Sequence, residues 1–275
     1  MRLILCVKRD LHGCIFLNRL MPRLADHPTW ILLSDKARTA ESQIPELARL
    51  AYLERVLPID RLFPLIDSAP PGGVGEWATF AGLAARYATR CEVVEDINSP
   101  AMLSRLAAYA PDLIVSARFS HIFAPAAIAV ARHGVVNIHP GELPAYAGLF
   151  SPLRTVAEGG QELVCCLHRV DAGVDSGPII ALARLPYQRE LGLLAQIAEL
   201  YPLAITPLLD LLARLANGEA VAGEVQDRSR RRYRSLPDAS EIDAFLAAGH
   251  HLWTAQSYDS LLARFLRPAP APATP

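Results

Sequence analysis

The sequence predicts an α/β fold: a mostly parallel sheet flanked by helices, with a short helical C-terminal extension. Three observations predict it. Short apolar runs recur at Leu3–Val7, Thr29–Leu33, Asp112–Ser116 and Gly134–Val136, each ended by a polar or breaker residue. Helical patterns stand between them, as in βαβ units. Polar side chains gather just past the last of these runs, where open α/β sheets bind ligands.

Taken in order, Leu3–Val7 is the first strand, Lys8–Gly13 a loop and Cys14–Leu24 an amphipathic helix. Thr29–Leu33 is a second strand, closed by Ser34 and Asp35. Residues 37–71 hold apolar helical stretches such as Leu47–Leu57, and Pro70-Pro71-Gly72-Gly73-Val74-Gly75 breaks the chain into a surface loop. A helix over Trp77–Tyr87, a strand Cys91–Glu95 and a helix Met102–Tyr109 lead to the strand Asp112–Ser116. After the short helix Pro125–Ala131, Gly134-Val135-Val136 forms a buried strand with Asn137 and His139 at its carboxyl end, stopped by Pro140 and Gly141. Glu142–Gly148 is a loop. Ser151 as N-cap and Pro152 at the first helical position open the helix Leu153–Glu158. Leu163–Val170 and Ile179–Leu185 pair around the Gly-rich turn of Asp175. Gly192–Leu215 is a long apolar helical pattern, kinked or interrupted by Pro202 and Pro207 and ended by Asn217-Gly218. The domain division that follows is 1–218 catalytic, 219–267 C-terminal extension with a helix Ser240–Ala248, and 268–275 a Pro/Ala tail, disordered by composition.

The whole chain narrows the function. Its 275 residues, 52% hydrophobic, suffice for one large domain or a domain with a small appendage. With 27 basic and 28 acidic residues the net charge is −1, so no bulk field favours nucleic acid. No apolar run reaches the ~18 residues of a membrane span, and Met1–Lys8 is too short for a secretory signal. Five cysteines, none in a Cys-x-x-Cys pair, suit a reduced, cytoplasmic protein. His250-His251 with these cysteines matches no common zinc spacing, so no metal is expected.

Asn137, His139 and Asp175 carry the chemistry. A lone His after a strand is ordinarily a satisfied structural group, and an Asp in a Gly-rich turn ordinarily builds the turn. Together in this frame the three read as a catalytic set. Asn137-Ile138-His139-Pro140, then Leu143-Pro144-x-Tyr146-x-Gly148, then Asp171-x-Gly173-x-Asp175-Ser176-Gly177-Pro178, resembles the signature of the folate-dependent formyltransferases over roughly Asp112–Leu182. The resemblance implies a Rossmann-like formyltransferase domain, 10-formyltetrahydrofolate as donor, an amine as acceptor, and Asn137, His139 and Asp175 as catalytic residues. It implies that Phe119, His121, Ile122 and Phe123, with Val170, Asp171, Gly173 and Asp175, hold the folate. It also implies that Lys8, His12 and Gly13 of the first loop, with Tyr146 and Phe150, receive the acceptor.

In the glycinamide ribonucleotide enzymes the first loop is a Gly-rich phosphate cradle. Here Lys8–Cys14 holds one glycine, too few for a backbone nest. Length, the missing cradle and the tail Tyr233-x-Ser235-Leu236-Pro237 favour a hydroxyornithine-like siderophore precursor as acceptor, with an amino-sugar nucleotide as the alternative. Methionyl-tRNA or glycinamide ribonucleotide formylation, formyl-folate hydrolysis and non-catalytic folate binding rank below. Arg228, Arg230, Arg231, Arg232 and Arg234 read as a solvated stretch, or as contacts to an anionic acceptor or the folate glutamate tail. No repeat or motif indicates the oligomeric state.

The residue types suit the reaction. Formyl transfer to an amine passes through a tetrahedral intermediate with an oxyanion. An amide N–H aimed at that oxygen stabilises it, and losing such a donor costs about 100- to 1000-fold in rate. Asn137 supplies the donor. A protonated His139 does the same and shuttles a proton. Asp175 keeps His139 charged or oriented, which would raise its titration above about 6.5.

Overall fold

The computed structural model describes residues 1–36, 39–69 and 75–266. The breaker cluster at 70–74 and the tail from 268 lie outside the described residues. Strand β1 (Leu3–Lys8) is buried along its whole length because it feeds two cores. Leu3, Leu5 and Val7 enter the larger one, Ile4 and Cys6 the smaller, the period-2 alternation of a strand covered on both faces. The remaining strands are β2 (Thr29–Ser34), β3 (Arg90–Val93), β4 (Leu113–Ala117), β5 (Val135–His139), β6 (Ala147–Gly148), β7 (Glu162–Arg169), β8 (Ile179–Pro186) and β9 (Tyr233–Arg234). Seven of them form one sheet in the order β3-β2-β1-β4-β5-β7-β8. Its first five strands are parallel, and β7 and β8 are antiparallel additions. β6 and β9 make a separate parallel pair.

The helices are α1 (Leu11–Leu20), α2 (Pro45–Ala51), α3 (Phe63–Asp67), α4 (Phe80–Arg86), α5 (Pro100–Tyr109), α6 (Pro125–Ile128), α7 (Ser151–Ala157), α8 (Leu193–Leu200), α9 (Ile205–Ala216), α10 (Ala239–Ala247) and α11 (Ala255–Leu266). Helices α5 and α6 cover the smaller core through Met102, Leu106 and Ala127. The larger core takes apolar residues from α1, α8, α9, α10 and α11 among others. Strand order reverses between β1 and β4, so the chain leaves a crevice at their carboxyl ends.

Several boundaries differ from the sequence reading. The segment Lys8–Gly13 is not a loop: α1 already begins at Leu11, because Asp10 caps it by accepting from the Gly13 N–H. Beyond α2 the chain winds in wider π-type turns over Tyr52–Leu62, with Pro58 inside. Pro202 replaces helix by a 3₁₀ turn at Tyr201–Ala204, whereas Pro207 fits the first turn of α9, where a missing N–H costs little. Ser151 is not the N-cap of α7; Phe150 holds that place at φ 54° with no side-chain cap. The 219–266 segment shares the main core, to which it gives Ile242, Phe245, Leu252, Tyr258, Leu261 and Phe265.

Candidate active site

β5 and β7 build the centre. Residues i and i+2 of a strand share a face, so Asn137 and His139 point the same way. The β5–β7 register sets Asn137 opposite His168, which therefore arrives on that face too. The His168 Nδ1–H donates to the Arg169 carbonyl oxygen at 2.7 Å. Nε2 is then the acceptor for the Asn137 amide nitrogen at 3.1 Å. That nitrogen carries two hydrogens, so a second donor remains.

His139 is 4% exposed. Its Nε2–H donates to the Tyr146 carbonyl oxygen at 2.7 Å, which also accepts from the Ser151 hydroxyl at 2.9 Å. Nδ1 faces Asp175 Oδ2 across 3.6 Å. Asp175 stands at φ 50°. Its Oδ2 accepts the Gly148 N–H at 2.9 Å, and its Oδ1 lies 3.7 Å from His168 Nε2. Burial alone would raise the Asp175 carboxyl; His139, His168 and the Gly148 N–H outweigh it and hold the carboxyl well below the usual range. For His139 the balance falls the other way. Burial lowers its pKa more than Asp175 and the Tyr146 carbonyl raise it. The expected titration above 6.5 is thereby reversed, and His139 is neutral at neutral pH with its proton on Nε2.

The Asp175 turn is braced from two sides. Asp171 Oδ1 accepts the Gly173 N–H at 2.9 Å and the Ser176 hydroxyl at 2.6 Å. A Cβ on Gly177 would fall 2.1 Å from the Arg169 carbonyl oxygen, so only glycine closes the turn. From the C-terminal segment, the Gln226 amide donates to the Asp175 and Gly177 carbonyls at 3.1 and 2.6 Å, and Arg231 donates to the Val174 carbonyl at 2.7 Å. β9 pairs with β6, which carries Gly148; a Cβ there would sit 2.1 Å from the Arg234 carbonyl oxygen. The sequence reading left out Gln226 and His168 altogether, and gave Arg231 no structural part. Only the register of β7 could have pointed to His168; the other two act across some 50 residues.

Asn137, His139, His168 and Asp175 line a cavity of about 410 Å³, within the roughly 300–1,000 Å³ of small-molecule sites. Phe119, His121, Ile122, Phe123, Val170, Asp171 and Gly173 line it beside Asn137, His139 and Asp175. Phe119 stacks on Phe123 at 5.6 Å, and Ile122 is 64% exposed. Asn98 pins this segment, donating to the Ile122 carbonyl and accepting from the Ala124 N–H.

The other end is ionic. Arg118 Nη2 lies 2.7 Å from Asp10 Oδ2 and 2.8 Å from Glu54 Oε2. Burial alone would raise Asp10; the Arg118, Lys8 and His12 charges hold it low instead. His12 is buried, hydrogen-bonded through Nε2 to the Leu194 carbonyl, and pushed down by burial and by Arg118. Asp10, His12 and Glu54 bring ligand-type atoms within 4.8 Å of one another, but the Arg118 guanidinium already bridges the two carboxylates. Of the residues assigned to the acceptor, Lys8 and Phe150 line the cavity. His12 and Gly13 pack beneath it in the first turn of α1. The Tyr146 hydroxyl turns away to Glu158 at 2.9 Å. Glu54 and Tyr201, unassigned from sequence, line the cavity.

Residues 86–191 match the family model described as formyl transferase. Over this segment, less than half of the chain, the sequence is similar to that family. A methionyl-tRNA formyltransferase of Roseiflexus sp. (strain RS-1) is 33% identical over 144 residues, covering 52% of this chain and 43% of that protein. The chain thus spans less than half the length of this relative. In fold it resembles a sugar N-formyltransferase from Shewanella sp. FDAARGOS_354, with TM-score 0.55 and 14% identity over 91% of this chain and 89% of that one. It also resembles HypX from Aquifex aeolicus in complex with tetrahydrofolic acid, with TM-score 0.53 and 14% identity over 87% of this chain and 30% of that one. None of the described helices is long and apolar enough to cross a membrane.

Proposed function

We propose that this protein transfers a formyl group from 10-formyltetrahydrofolate to an amine of a small-molecule acceptor. The observation that carries the reading is the convergence of Asn137, His139 and Asp175 on one wall of a cavity whose neighbouring wall is the aromatic Phe119–Phe123 segment. A flat bicyclic ring needs such apolar walls and a few fixed polar groups, and HypX, of the same fold, is described with tetrahydrofolic acid.

The amine attacks the formyl carbon; a C–N bond forms and the carbonyl electron pair moves to oxygen. The free N–H of the Asn137 amide, oriented by His168, donates to that oxyanion. Neutral His139 presents Nδ1 toward Asp175, so it takes the proton the amine must lose, and Asp175 stabilises the imidazolium. Collapse breaks the bond from the formyl carbon to the folate nitrogen, which receives a proton.

A hydroxyornithine-like amine remains our reading of the acceptor. An amino-sugar nucleotide is the second, favoured by the sugar N-formyltransferase that matches nearly full length in fold. The test is calorimetric titration with 5-formyltetrahydrofolate and with NADH, followed by tetrahydrofolate release from the 10-formyl donor across a panel of amines. Folate binding and amine-dependent release are expected. Tight NADH binding without folate binding would contradict the reading; no Gly-x-Gly-x-x-Gly follows β1 to make it expected.

A further inference from the structure

β4 leads the chain straight into the Phe119–Phe123 wall of the cavity, and the turn between them falls on Arg118. Its backbone stands at φ 58°, a left-handed conformation that costs any residue with a Cβ. The side chain offsets that cost. Arg118 Nε and Nη2 donate to Asp10 Oδ2 at 3.0 and 2.7 Å, and Nη2 donates to Glu54 Oε2 at 2.8 Å. The guanidinium also lies 5.7 Å from the centre of the Tyr201 ring. Asp10 caps α1, Glu54 belongs to the wide turns over Tyr52–Leu62, and Tyr201 opens the 3₁₀ turn before α9. One side chain thus ties the turn to three elements. With Lys8 close by, two cations meet two carboxylates, so the cluster is balanced. Beyond Arg118 the wall is held by neutral groups. The Ser120 N–H donates to the Ser34 hydroxyl oxygen at 2.9 Å, and Asn98 takes Ile122 and Ala124.

We propose that Arg118 is a positioning residue for the folate wall: its guanidinium, clamped by Asp10 and Glu54, holds the left-handed turn that aims Phe119–Phe123 into the cavity. This rests on reading that wall as the folate site. A turn of this kind favours glycine, so an arginine keeps its shape there while the clamp holds. Charge-assisted, forked hydrogen bonds are the strong ones, and the ionic hold on the wall sits where the chain leaves β4. The clamp is itself fixed: Asp10 is buried, and its other oxygen accepts the Gly13 N–H at 2.8 Å. One carboxylate therefore holds both the wall and the start of α1. Arg118 acts through the backbone it holds, not on the reacting atoms.

The test pairs amide hydrogen exchange of the ligand-free full chain with calorimetric titration of 5-formyltetrahydrofolate. It compares wild type, Arg118→Gly and Arg118→Lys. Glycine relieves the turn but removes the clamp; lysine keeps the charge but not the fork. Phe265→Ala, a cut in the core away from the cavity, controls for lost stability. Relative to that control, Arg118→Gly should speed exchange over residues 119–124 and weaken folate by about 10- to 100-fold, the worth of a charged hydrogen bond. Arg118→Lys should recover part of both. Exchange and affinity at the control's values in Arg118→Gly overturn the proposal, because the backbone conformation alone would then set the wall. Faster exchange with unchanged folate affinity also overturns it. So does weaker folate with unchanged exchange, which would put the guanidinium on the ligand itself. Should Arg118→Gly not fold, Glu54→Gln takes one carboxylate from the clamp and should move both readings less far in the same direction; no movement there overturns the proposal. If wild type binds no folate, the reading of the wall as a folate site fails, and exchange alone still decides whether Arg118 holds it.

Discussion

At the scale of the residue, the Asn137 amide can face two ways, and only one presents an N–H to a developing oxyanion. The His168 ring decides which, since its Nδ1 proton is fixed by the Arg169 carbonyl and its Nε2 must accept. Asn137→Ala should lower kcat by about 100- to 1000-fold with folate Kd near wild type. His168→Ala should also lower kcat, by freeing the amide to turn, and His168→Gln should recover part of the loss by restoring an acceptor. A His168→Ala enzyme with normal kcat would remove the orienting role. The protonation of His139 follows from competing magnitudes. Burial beats the Asp175 charge, so a nuclear magnetic resonance titration should place its ring below 6.5. Turnover should be flat from pH 6.5 upward and fall only as pH drops through the lowered pKa of the ring; a titration above 6.5 would restore the preformed cation. Asn137 and His139 were legible in the sequence because a strand of five residues fixes which side chains share a face. The protonation state of His139 was not, because its burial comes from elements far along the chain.

At the scale of the element, the strands of the main sheet were legible, most of them as apolar runs with a stop, whereas the two-residue β6 and β9 were not. The start of α1 was not, because it depends on Asp10 reaching back as a cap while that carboxylate also pairs with Arg118 from β4's end. Segment 219–266 reads as an appendage in sequence, yet its Gln226 and Arg231 hold the Asp175 turn and β9 pairs beside Gly148. Gln226→Ala strips donors from two carbonyls and should cost about 1–3 kcal/mol, measured by denaturant unfolding, together with a fall in kcat from the loosened turn. Phe265, fully buried between Phe63 and Trp77, has no part in the cavity. Phe265→Ala should cost about 3–5 kcal/mol while kcat per folded molecule holds. If Gln226→Ala behaves as Phe265→Ala does, with stability lost and kcat kept, the brace is structural only.

At the scale of the molecule, buried groups set how stability responds to acid. His12 and His139 have folded-state pKa values below 6.5, and His121, His133 and His250 shift the same way. Above 6.5 these rings are neutral whether the chain is folded or not. As pH falls below 6.5 the unfolded chain binds protons that the folded one resists, so stability drops. Asp10 and Asp175, held below 3.8, add a second loss as pH falls through 3.8. Melting temperature should be level near pH 7–8, decline below 6.5 and steepen below about 4; a rise from pH 7 to 5 would contradict the burial assignments. The central claim, that Asp175 acts with His139 and Asn137 in formyl transfer, meets its most direct test in Asp175→Asn, which keeps size and removes charge. Its kcat for amine-dependent tetrahydrofolate release and its melting temperature are measured on one preparation. The account predicts a folded protein with folate Kd near wild type and kcat lower by orders of magnitude. Near-normal turnover by folded Asp175→Asn would contradict it.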